Sequence, residues 1–223
     1  MLQFPLLIFL GLPFSVALAT HKVASVALGL GAAFTHLKKR TFSYGVAIYL
    51  ILVGSVGVVI GANIVLLIPD KIAETLLGLM ILTLGIYSRL KKQLGQKETP
   101  INRDLPGWII GGLGLMIIGM INGSLTAGSG LLMTIFLVRW FGYSYKQAVA
   151  LTLICVGLFW NGIGGVAIYQ AGAPIYWPWL PILLLGSFAG GSLGAYLTTR
   201  YSNQVVKVCF EVLTFAVGLK LLF

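Results

Sequence analysis

The sequence predicts an all-α integral membrane protein made of two homologous helical repeats, and three observations lead to this fold class. The chain of 223 residues is 58% hydrophobic and only 9% charged, whereas a soluble domain is roughly 25% charged. Apolar stretches long enough to cross about 30 Å of hydrocarbon recur along it. These stretches lack the alternation of polar and apolar residues that marks a membrane barrel. We therefore expect helices, which satisfy their own backbone groups in lipid.

The predicted elements follow one another closely. Met1 to Leu12 is apolar but too short to span, and it lacks the basic start of a signal peptide. A polar linker at Leu90–Asp104 divides the chain into two halves, each with three spans. Directly after the linker, polar residues break the apolar segment Leu105–Phe141. The predicted spans are Ser15–His36, Tyr44–Ile68, Lys71–Arg89, Tyr145–Gln170, Trp177–Thr199 and Asn203–Phe223.

The halves share an ordered spacing of small residues, which indicates a duplication. In both halves a helix face has small residues at every fourth position, and Gly186 extends this face in the second half. Such faces allow helix backbones to approach closely in lipid. The matched pairs are Gly11 with Gly142, Gly57 with Gly190, Gly61 with Gly194 and Gly85 with Gly218.

This duplication predicts a first repeat over residues 1–90, a cytoplasmic linker over 91–104 and a second repeat over 105–223. In this alignment Met1 falls near Leu132, and Leu105–Gly130 has no counterpart in the first half. We therefore expect the N-terminal part of the first repeat to be missing.

Basic loops predict the topology of the first half. Two of them are separated by two spans, so they lie on the same side of the membrane, and the positive-inside rule makes that side cytoplasmic. The basic residues of these loops are Lys38, Lys39, Arg40, Arg89, Lys91, Lys92, Lys97 and Arg103.

The second half allows two topologies. If Leu105–Phe141 crosses the membrane once, the basic residues that follow lie outside, and if it forms a re-entrant hairpin they lie inside. The hairpin obeys the positive-inside rule better and makes the halves antiparallel, as in the inverted repeats of secondary transporters. The residues concerned are Arg139, Lys146, Arg200 and Lys207.

The net charge of +10 does not indicate a nucleic-acid-binding protein, because the basic residues stand in short loops between spans, as topology signals do. Neither a metal-ligand cluster nor a cofactor motif is evident, and periodicity supports no Ser-His-Asp arrangement. We therefore expect no nucleic acid, metal or cofactor and no enzymatic activity.

A polar run inside the broken segment is the strongest candidate for a binding site. Irregular backbone at membrane depth is tolerated where it is buried in protein or lines a polar cavity. Glycines let backbone N–H groups converge there, and the next helix begins with its positive dipole end, which suits an anion. The alternative is a plain loop at the water surface. The run contains Asn122, Gly123, Ser124, Thr126, Gly128, Ser129 and Gly130.

A second candidate lies in the first predicted span, where Thr20, His21 and Lys22 are consecutive. An ionisable side chain inside a span marks a functional candidate. Lys22 offers a positive charge to an anion, and His21 offers a hydrogen bond or a proton near neutral pH. The alternative is that Lys22 extends to the outer interface, about two helical turns away.

The second half offers only uncharged polar groups at comparable places. Thr152 occupies the position equivalent to the charged segment, and Asn161 lies within the same span. Asn161 lines the pathway in one interpretation and forms an interhelical hydrogen bond in the other. Glu211 follows Lys207 by four residues, which predicts an ion pair on one helix. A role for Glu211 in proton coupling is the less favoured interpretation.

Several of these segments resemble one transporter family. The run from Leu10 to Lys22 is similar to the first-repeat segment of the TauE/SafE family of sulfite exporters, which ends in Ala-Thr-x-Lys. The turn Asn122–Gly130, the segment at Gly142 and the pair Gly194-Ala195 resemble the second repeat of that family. The resemblance covers essentially the whole chain, although the first repeat lacks the family's glycine-rich turn.

The resemblance implies a carrier of the bacterial cytoplasmic membrane for small sulfur-containing or organic anions. It implies that Thr20, Lys22 and the turn Asn122–Gly130 line the pathway. Together with the residue patterns it predicts a transporter that works by alternating access, with the lipid bilayer and a small anion as partners. A coupling proton or ion and further copies of this chain are additional partners that the sequence allows. The alternative function is an accessory or structural membrane subunit with an incomplete first repeat.

Overall fold

The computed structural model describes residues 3–39, 43–90 and 95–222, and these residues form a helical bundle. The helices are α1 (Gln3–Phe9), α2 (Phe14–Lys39), α3 (Tyr44–Ile64), α4 (Asp70–Leu90), α5 (Leu105–Ser124), α6 (Ser129–Trp140), α7 (Tyr145–Ile154), α8 (Asn161–Gln170), α9 (Leu180–Arg200) and α10 (Asn203–Leu222).

Three short segments connect or extend these helices. A 3₁₀ turn at Val65–Leu67 extends α3, and a second one at Trp177–Trp179 leads into α9. Between α7 and α8 the backbone forms a π-helix, Cys155–Trp160, so that α7 and α8 make one continuous run. Single π-helical turns inside α-helices are uncommon and occur frequently at functional sites.

The all-α prediction is confirmed, and each predicted span coincides with a helix or a continuous helical run to within a few residues. By length and composition, six of the described helical runs can cross a membrane, whereas α6 has only 12 residues, and α10, which coincides with the predicted span Asn203–Phe223, is not among the six. The six are Phe14–Phe34, Tyr44–Leu67, Asp70–Leu90, Leu105–Ser124, Tyr145–Gln170 and Trp177–Arg200.

Glycines set the distance between α3 and α5. A Cβ atom added to Gly57 or Gly61 would collide with the backbone of Met116 or Met120, and one added to Gly119 would collide with the carbonyl of Gly54. Lipid tails are as apolar as side chains, so helices in a membrane associate through such close packing rather than through the hydrophobic effect. The predicted small-residue face of the first half is therefore a packing face.

The corresponding prediction for the second half is wrong in its register. Nothing lies within 4 Å of a Cβ atom built on Gly186, Gly190 or Gly194. The glycine of α9 that packs closely is Gly191, whose added Cβ atom would meet the backbone of Leu28 in α2. The packed stripe of α9 is therefore displaced from the one that the repeat predicts, because α2 approaches a different side of this helix.

The broken apolar segment folds back on itself. The indole Nε1 of Trp140, at the end of α6, donates a hydrogen bond of 3.0 Å to the carbonyl of Gly107, near the start of α5. Both ends of the segment therefore lie at the same end of the bundle, as the hairpin alternative predicts. The polar run Asn122–Gly130 forms the turn between the two helices and is called the hairpin tip below.

Pairs of contacts fix the relative directions of the long helices. Gly29 of α2 packs on Gly157 while Lys22 packs on Gly164, so α2 runs antiparallel to the run of α7 and α8. In α4, Gly85 faces Thr214, and Ile81, one turn earlier, faces Gly218, one turn later, so α4 and α10 are also antiparallel.

The linker joins several elements at one end of the bundle, which we call the basic end. The amide of Thr99 donates to the carbonyl of Gly142, and Arg103 donates to the carbonyl of Phe141. The side chain of Asn203, at the start of α10, donates to the carbonyl of Gln96. Helix ends at this end of the bundle supply Arg89, Arg139, Lys146, Arg200 and Lys207.

A buried carboxylate connects α4 to α10 near the basic end. Glu211 forms the predicted ion pair with Lys207 at 3.4 Å, and both side chains are 5% exposed. Ser88 donates a hydrogen bond of 2.8 Å to the same carboxylate oxygen, Oε1, and the other oxygen lies 3.7 Å from Arg89. Because a buried charge is costly unless it is paired and hydrogen-bonded, these contacts stabilise the carboxylate between the two helices.

The packing of α3 against α5 gives a first prediction. We expect Gly57→Ala to lower the Tm of the detergent-solubilised protein by several degrees, because overpacking costs about 1–3 kcal/mol and 1 kcal/mol shifts Tm by roughly 2–4 °C at this chain length. Gly186→Ala is the matched control, and we expect it to leave Tm unchanged or slightly raised, because its Cβ atom meets open space. Equal shifts in both variants would contradict the α3–α5 contact.

The linker gives a second prediction, which concerns pH. A hydrogen bond from Gln147, helped by Arg103, holds the pKa of Glu98 below its ordinary value, against an opposing effect of burial. The carboxylate therefore contributes stability above the ordinary pKa of about 4.3, and this contribution is lost as pH falls through the lower, folded-state value.

Glu98→Gln should therefore lower Tm at pH 7 by no more than about 4 °C, because exposed pairs contribute roughly 0.2–1 kcal/mol. The difference from wild type should shrink as the pH is lowered below about 4. Thermal unfolding at a series of pH values measures both effects. A difference that grows towards acid pH would show the opposite sign of linkage.

Candidate functional site

The backbone is irregular where α5 ends and α6 begins. Thr126 has a φ of +51° and Gly128 a φ of +87°, both in the left-handed region. For a β-branched residue such as Thr126 this conformation costs on the order of 1–3 kcal/mol, and it persists only where neighbouring contacts enforce it. Here the carbonyl of Thr126 accepts hydrogen bonds from both the amide and the hydroxyl of Ser129.

The first turn of α6 has backbone donors beyond the amide of Ser129, which donates to the carbonyl of Thr126. Its N-cap is Gly128, and no side chain forms a capping hydrogen bond there. The first N–H groups of a helix have no partner within the helix and carry the positive end of its dipole. This turn is therefore suited to bind a negatively charged group.

A cavity of about 110 Å³ lies at this turn. It is enclosed by α2, the hairpin tip, α7, the π-helical segment and the first residue of α8, and lies about halfway along the run Tyr145–Gln170. A single water needs roughly 10–15 Å³ of such space, so the cavity has room for a small ion of several atoms. None of the described residues that line it is acidic.

Lys22 is fully buried beside this cavity. Its ammonium donates to the backbone carbonyl of Asn122 at 2.8 Å and to the side-chain oxygen of the same residue at 3.3 Å. The alternative that Lys22 extends to the outer interface is therefore wrong. Within the described part of the chain Lys22 forms no ion pair with a carboxylate.

The charge of Lys22 fixes the orientation of the Asn122 side chain at the hairpin tip. Because its side-chain oxygen accepts from Lys22, its amide nitrogen faces the other way, 2.9 Å from the hydroxyl of Ser129 and 3.4 Å from the oxygen of Asn161. The hydroxyl of Thr126 lies 3.5 Å from the same oxygen of Asn161. The contact between Asn122 and Asn161 is the interhelical hydrogen bond predicted as one alternative for Asn161, and Asn161 lines the cavity as well.

Two threonines from different helices meet at another part of the wall. The hydroxyls of Thr134 and Thr152 are 3.0 Å apart, and that of Thr134 also donates to the carbonyl of Gly130 at 2.8 Å. Thr134 thereby uses its proton on the backbone of α6, and Thr152 donates to Thr134 or into the cavity. The hydroxyl of Thr152 is therefore the one that is available to a bound group.

His21 lines the cavity from α2. Its Nδ1 lies 3.0 Å from the side-chain oxygen of Gln3 in α1. The hydroxyl of Ser25, one turn later, is nearly equidistant from the two ring nitrogens, at 3.3 and 3.1 Å. A nucleophile activated by histidine needs its hydroxyl aligned with one ring nitrogen, so this pair lacks the geometry of a catalytic Ser-His couple.

The structure brings most of the predicted site residues together, while their role in binding stays a prediction. The predicted residues that line the cavity are His21, Asn122, Thr126, Gly128, Ser129, Gly130, Thr152 and Asn161.

The other predicted residues lie outside the wall of the cavity. Thr20 accepts a hydrogen bond from the amide of Tyr176, on the segment before α9. Gly123 packs against the backbone of α3, and the hydroxyl of Ser124 donates to the carbonyl of Met120 within its own helix. Lys22 reaches the site only through Asn122.

Sequence reasoning missed several residues that line the cavity. Ser25 follows His21 by four residues, which places both on one helix face, so helical spacing was a usable signal. Val156 and Gly157 come to the wall through the π-helical segment. Their sequence gives no indication of this, because a π-helix depends on the packing of its neighbours.

Comparison with known proteins supplies independent findings. The family model described as sulfite exporter TauE/SafE matches residues 1–221. The chain is 22% identical to a "Probable membrane transporter protein" of Haemophilus influenzae, over 100% of this chain and 86% of the relative. It is 21% identical to "Probable membrane transporter protein YfcA" of Escherichia coli K12, over 100% of this chain and 81% of the relative.

A third relative is "Probable membrane transporter protein YjnA" of Bacillus subtilis, with 25% identity over 98% of this chain and 89% of the relative. No solved structure shows a significant match to the chain. The matches extend over nearly the whole sequence, so they concern the complete bundle described above and not one segment of it.

The bond between Lys22 and Asn122 gives a prediction that a double-mutant cycle tests. Asn122→Leu removes one acceptor of a buried ammonium, so we expect a loss of about 1–3 kcal/mol of stability. Adding Lys22→Met removes the ammonium too, and replacement of both partners by apolar groups is expected to recover much of the loss. Tm values of the two single variants and the double variant provide the coupling. Strictly additive effects would contradict a direct interaction.

Proposed function

The chain belongs to the sulfite exporter TauE/SafE family, and from this premise we propose that it is a membrane transporter that carries small anions. Relatives named probable membrane transporter proteins support the transport activity. The six described runs with the length and composition of spans agree with a multi-pass protein in a lipid bilayer.

The proposal that the substrate is an anion rests on one observation. An uncapped helix start faces a cavity whose described lining includes several polar side chains and no acidic residue. Next to that cavity lies a buried ammonium that forms no ion pair within the described part of the chain. A buried charge without a counter-ion is unfavourable, and a negatively charged substrate in the cavity would offset it.

The proposed site binds its anion through hydrogen-bond donors. Asn122 is held by Lys22 so that its amide nitrogen points towards the tip and away from the ammonium. The amides that follow Ser129 at the start of α6 and the hydroxyls of Thr126 and Thr152 complete a set of uncharged donors. Such donors replace the hydration of a small oxyanion, and we propose sulfite or a small sulfonate as the substrate class.

We propose that the two halves move relative to each other and expose the cavity to one side of the membrane at a time. Antiparallel packing of α2 with α8 and of α4 with α10 supports an inverted repeat, which is the architecture of many secondary transporters. In this proposal the first repeat spans residues 1–90 and the second spans residues 105–223. The basic end faces the cytoplasm of a bacterial cell, because basic residues stay on that side.

The test is uptake of radiolabelled anions by liposomes that contain the purified protein. We expect saturable uptake of sulfite or ethanesulfonate and none of the similarly sized cation tetramethylammonium. Thr152→Val should raise KM roughly 10- to 100-fold, because a hydrogen bond to a charged ligand contributes about 1.5–3 kcal/mol. Gly128→Leu should abolish uptake, because its φ is +87° and its side chain would press on Met80 and Ile81.

The matched control is Thr83→Val. The hydroxyl of Thr83 is exposed on α4 and donates only to its own helix, at Leu79, so we expect KM to be unchanged. If Thr152→Val and Gly128→Leu took up the anion as well as the control Thr83→Val does, the proposed site would be contradicted. Equal uptake of the anions and of the cation would contradict the proposed selectivity, and absence of uptake by well-folded wild type would contradict transport itself.

A further inference from the structure

One of the described side chains that line the cavity, that of His21, has a titratable ring. Among the described residues that line the cavity, His21 is the one whose ordinary titration lies between pH 5 and 8. The other lining groups are amides, hydroxyls, glycines and apolar side chains, which keep their charge state in this range. His21 is therefore the described lining side chain that can change its charge by binding a proton.

The hydrogen bonds of His21 fit a neutral ring that can accept a proton. The side-chain oxygen of Gln3 lies 3.0 Å from Nδ1 and also accepts a hydrogen bond of 3.3 Å from Ser187. An oxygen with two such neighbours accepts a hydrogen bond from Nδ1–H, which leaves the lone pair on Nε2, 3.1 Å from the hydroxyl of Ser25. A proton from water adds there, and the ring becomes a cation with Nδ1–H still bound to Gln3.

The surroundings give this cation no protein counter-ion. The charged group nearest in the chain is Lys22, which repels it. The other elements around the ring present uncharged side chains: the tilted ring of Phe4 of α1 lies 5.6 Å away, α9 supplies Ser187, and the hairpin tip supplies Asn122. In the described part of the chain no carboxylate pairs with the ring, and the α-amino group of Met1 lies outside that part.

We propose that His21 is the proton-binding site of this transporter, and that it takes up its proton together with the anion. This inference rests on the proposed function. An anion in the cavity supplies the missing counter-ion, so it stabilises the protonated ring, and by linkage the protonated ring binds the anion more tightly. The protein then carries one proton with each anion.

Glu211 is the rival candidate for this role. It is also buried within a helix, but it does not line the cavity, and Lys207, Arg89 and Ser88 occupy its oxygens. Its neutralisation would remove the ion pairs with Arg89 and Lys207. Glu211 therefore stabilises the contact of α4 with α10, whereas His21 faces the substrate.

The experiment measures anion and proton movement in the same liposomes. Purified protein is reconstituted with a pH-sensitive dye inside, the membrane potential is clamped, and an inward gradient of ethanesulfonate is applied without a pH gradient. This sulfonate stays ionised over the whole range, so any proton that enters was carried by the protein. If only sulfite is transported, wild type and variants are compared with sulfite, because the substrate's own protons are then the same in all samples.

Wild type should acidify the interior as the anion enters, and its anion uptake should increase several-fold as the pH is lowered into the range in which His21 binds its proton. His21→Gln should still take up the anion, with a raised KM, but without proton entry and with a flat pH profile. His21→Asn is the second variant if the first does not fold. His36→Gln is the matched control, because His36 is 15 residues further along α2, about 22 Å away.

Each outcome decides between the alternatives. Unchanged proton entry in His21→Gln, or its loss in Glu211→Gln but not in His21→Gln, would overturn the assignment. Anion uptake by wild type without proton entry would overturn the inference and leave the proposed function intact, whereas no anion uptake by wild type would overturn both. A residual pH profile in His21→Gln equal to that of wild type would assign the titration to another group, such as the α-amino group.

Discussion

The buried hydrogen bonds between Lys22 and Asn122 are the interaction on which the arrangement of the site depends. An ammonium removed from water costs several kcal/mol, and here it is stabilised by two oxygens of one residue at the end of α5. This contact joins α2 to the hairpin tip and fixes which way the amide of Asn122 points. The orientation of Asn122 in turn sets the positions of Ser129 and Asn161. Lys22 does not line the cavity, but its charge thereby determines which end of the Asn122 side chain, donor or acceptor, turns towards the hairpin tip.

Close helix packing makes this contact geometrically possible. In lipid there is no hydrophobic drive between helices, so association depends on van der Waals contact and buried hydrogen bonds. Glycines bring α3 against α5 and bring α2 against the π-helical segment, where a Cβ atom on Gly29 would collide with Leu158. The hairpin tip is therefore held between α3 and the run of α7 and α8. The strained backbone at Thr126 and Gly128 is maintained by this surrounding framework.

The proposed chemistry follows from an imbalance of charge inside this framework. The cavity combines an uncapped helix start, amide and hydroxyl donors and a titratable ring, and its described lining has no acid. An anion offsets part of the positive charge that Lys22 and a protonated His21 together place at the site. Binding of the anion and binding of the proton are then two parts of one event. The ion-paired Glu211, at the basic end, serves the contact between helices instead.

The sequence by itself determined the class of protein, the helices and most of the residues at the site. Long apolar runs leave no other solution than helices, so the spans and the broken segment Leu105–Phe141 were predictable to within a few residues. Polar residues inside apolar runs are costly enough to mark the hairpin tip and the segment at Lys22. Only the tertiary structure decided that Lys22 binds Asn122 instead of reaching the surface, that Gly191 and not Gly190 packs on α2, and that Ser25 and the π-helical segment line the cavity. These features depend on which face of each helix meets its neighbour, and hydropathy carries no information about that rotation in a helix that is apolar on all sides.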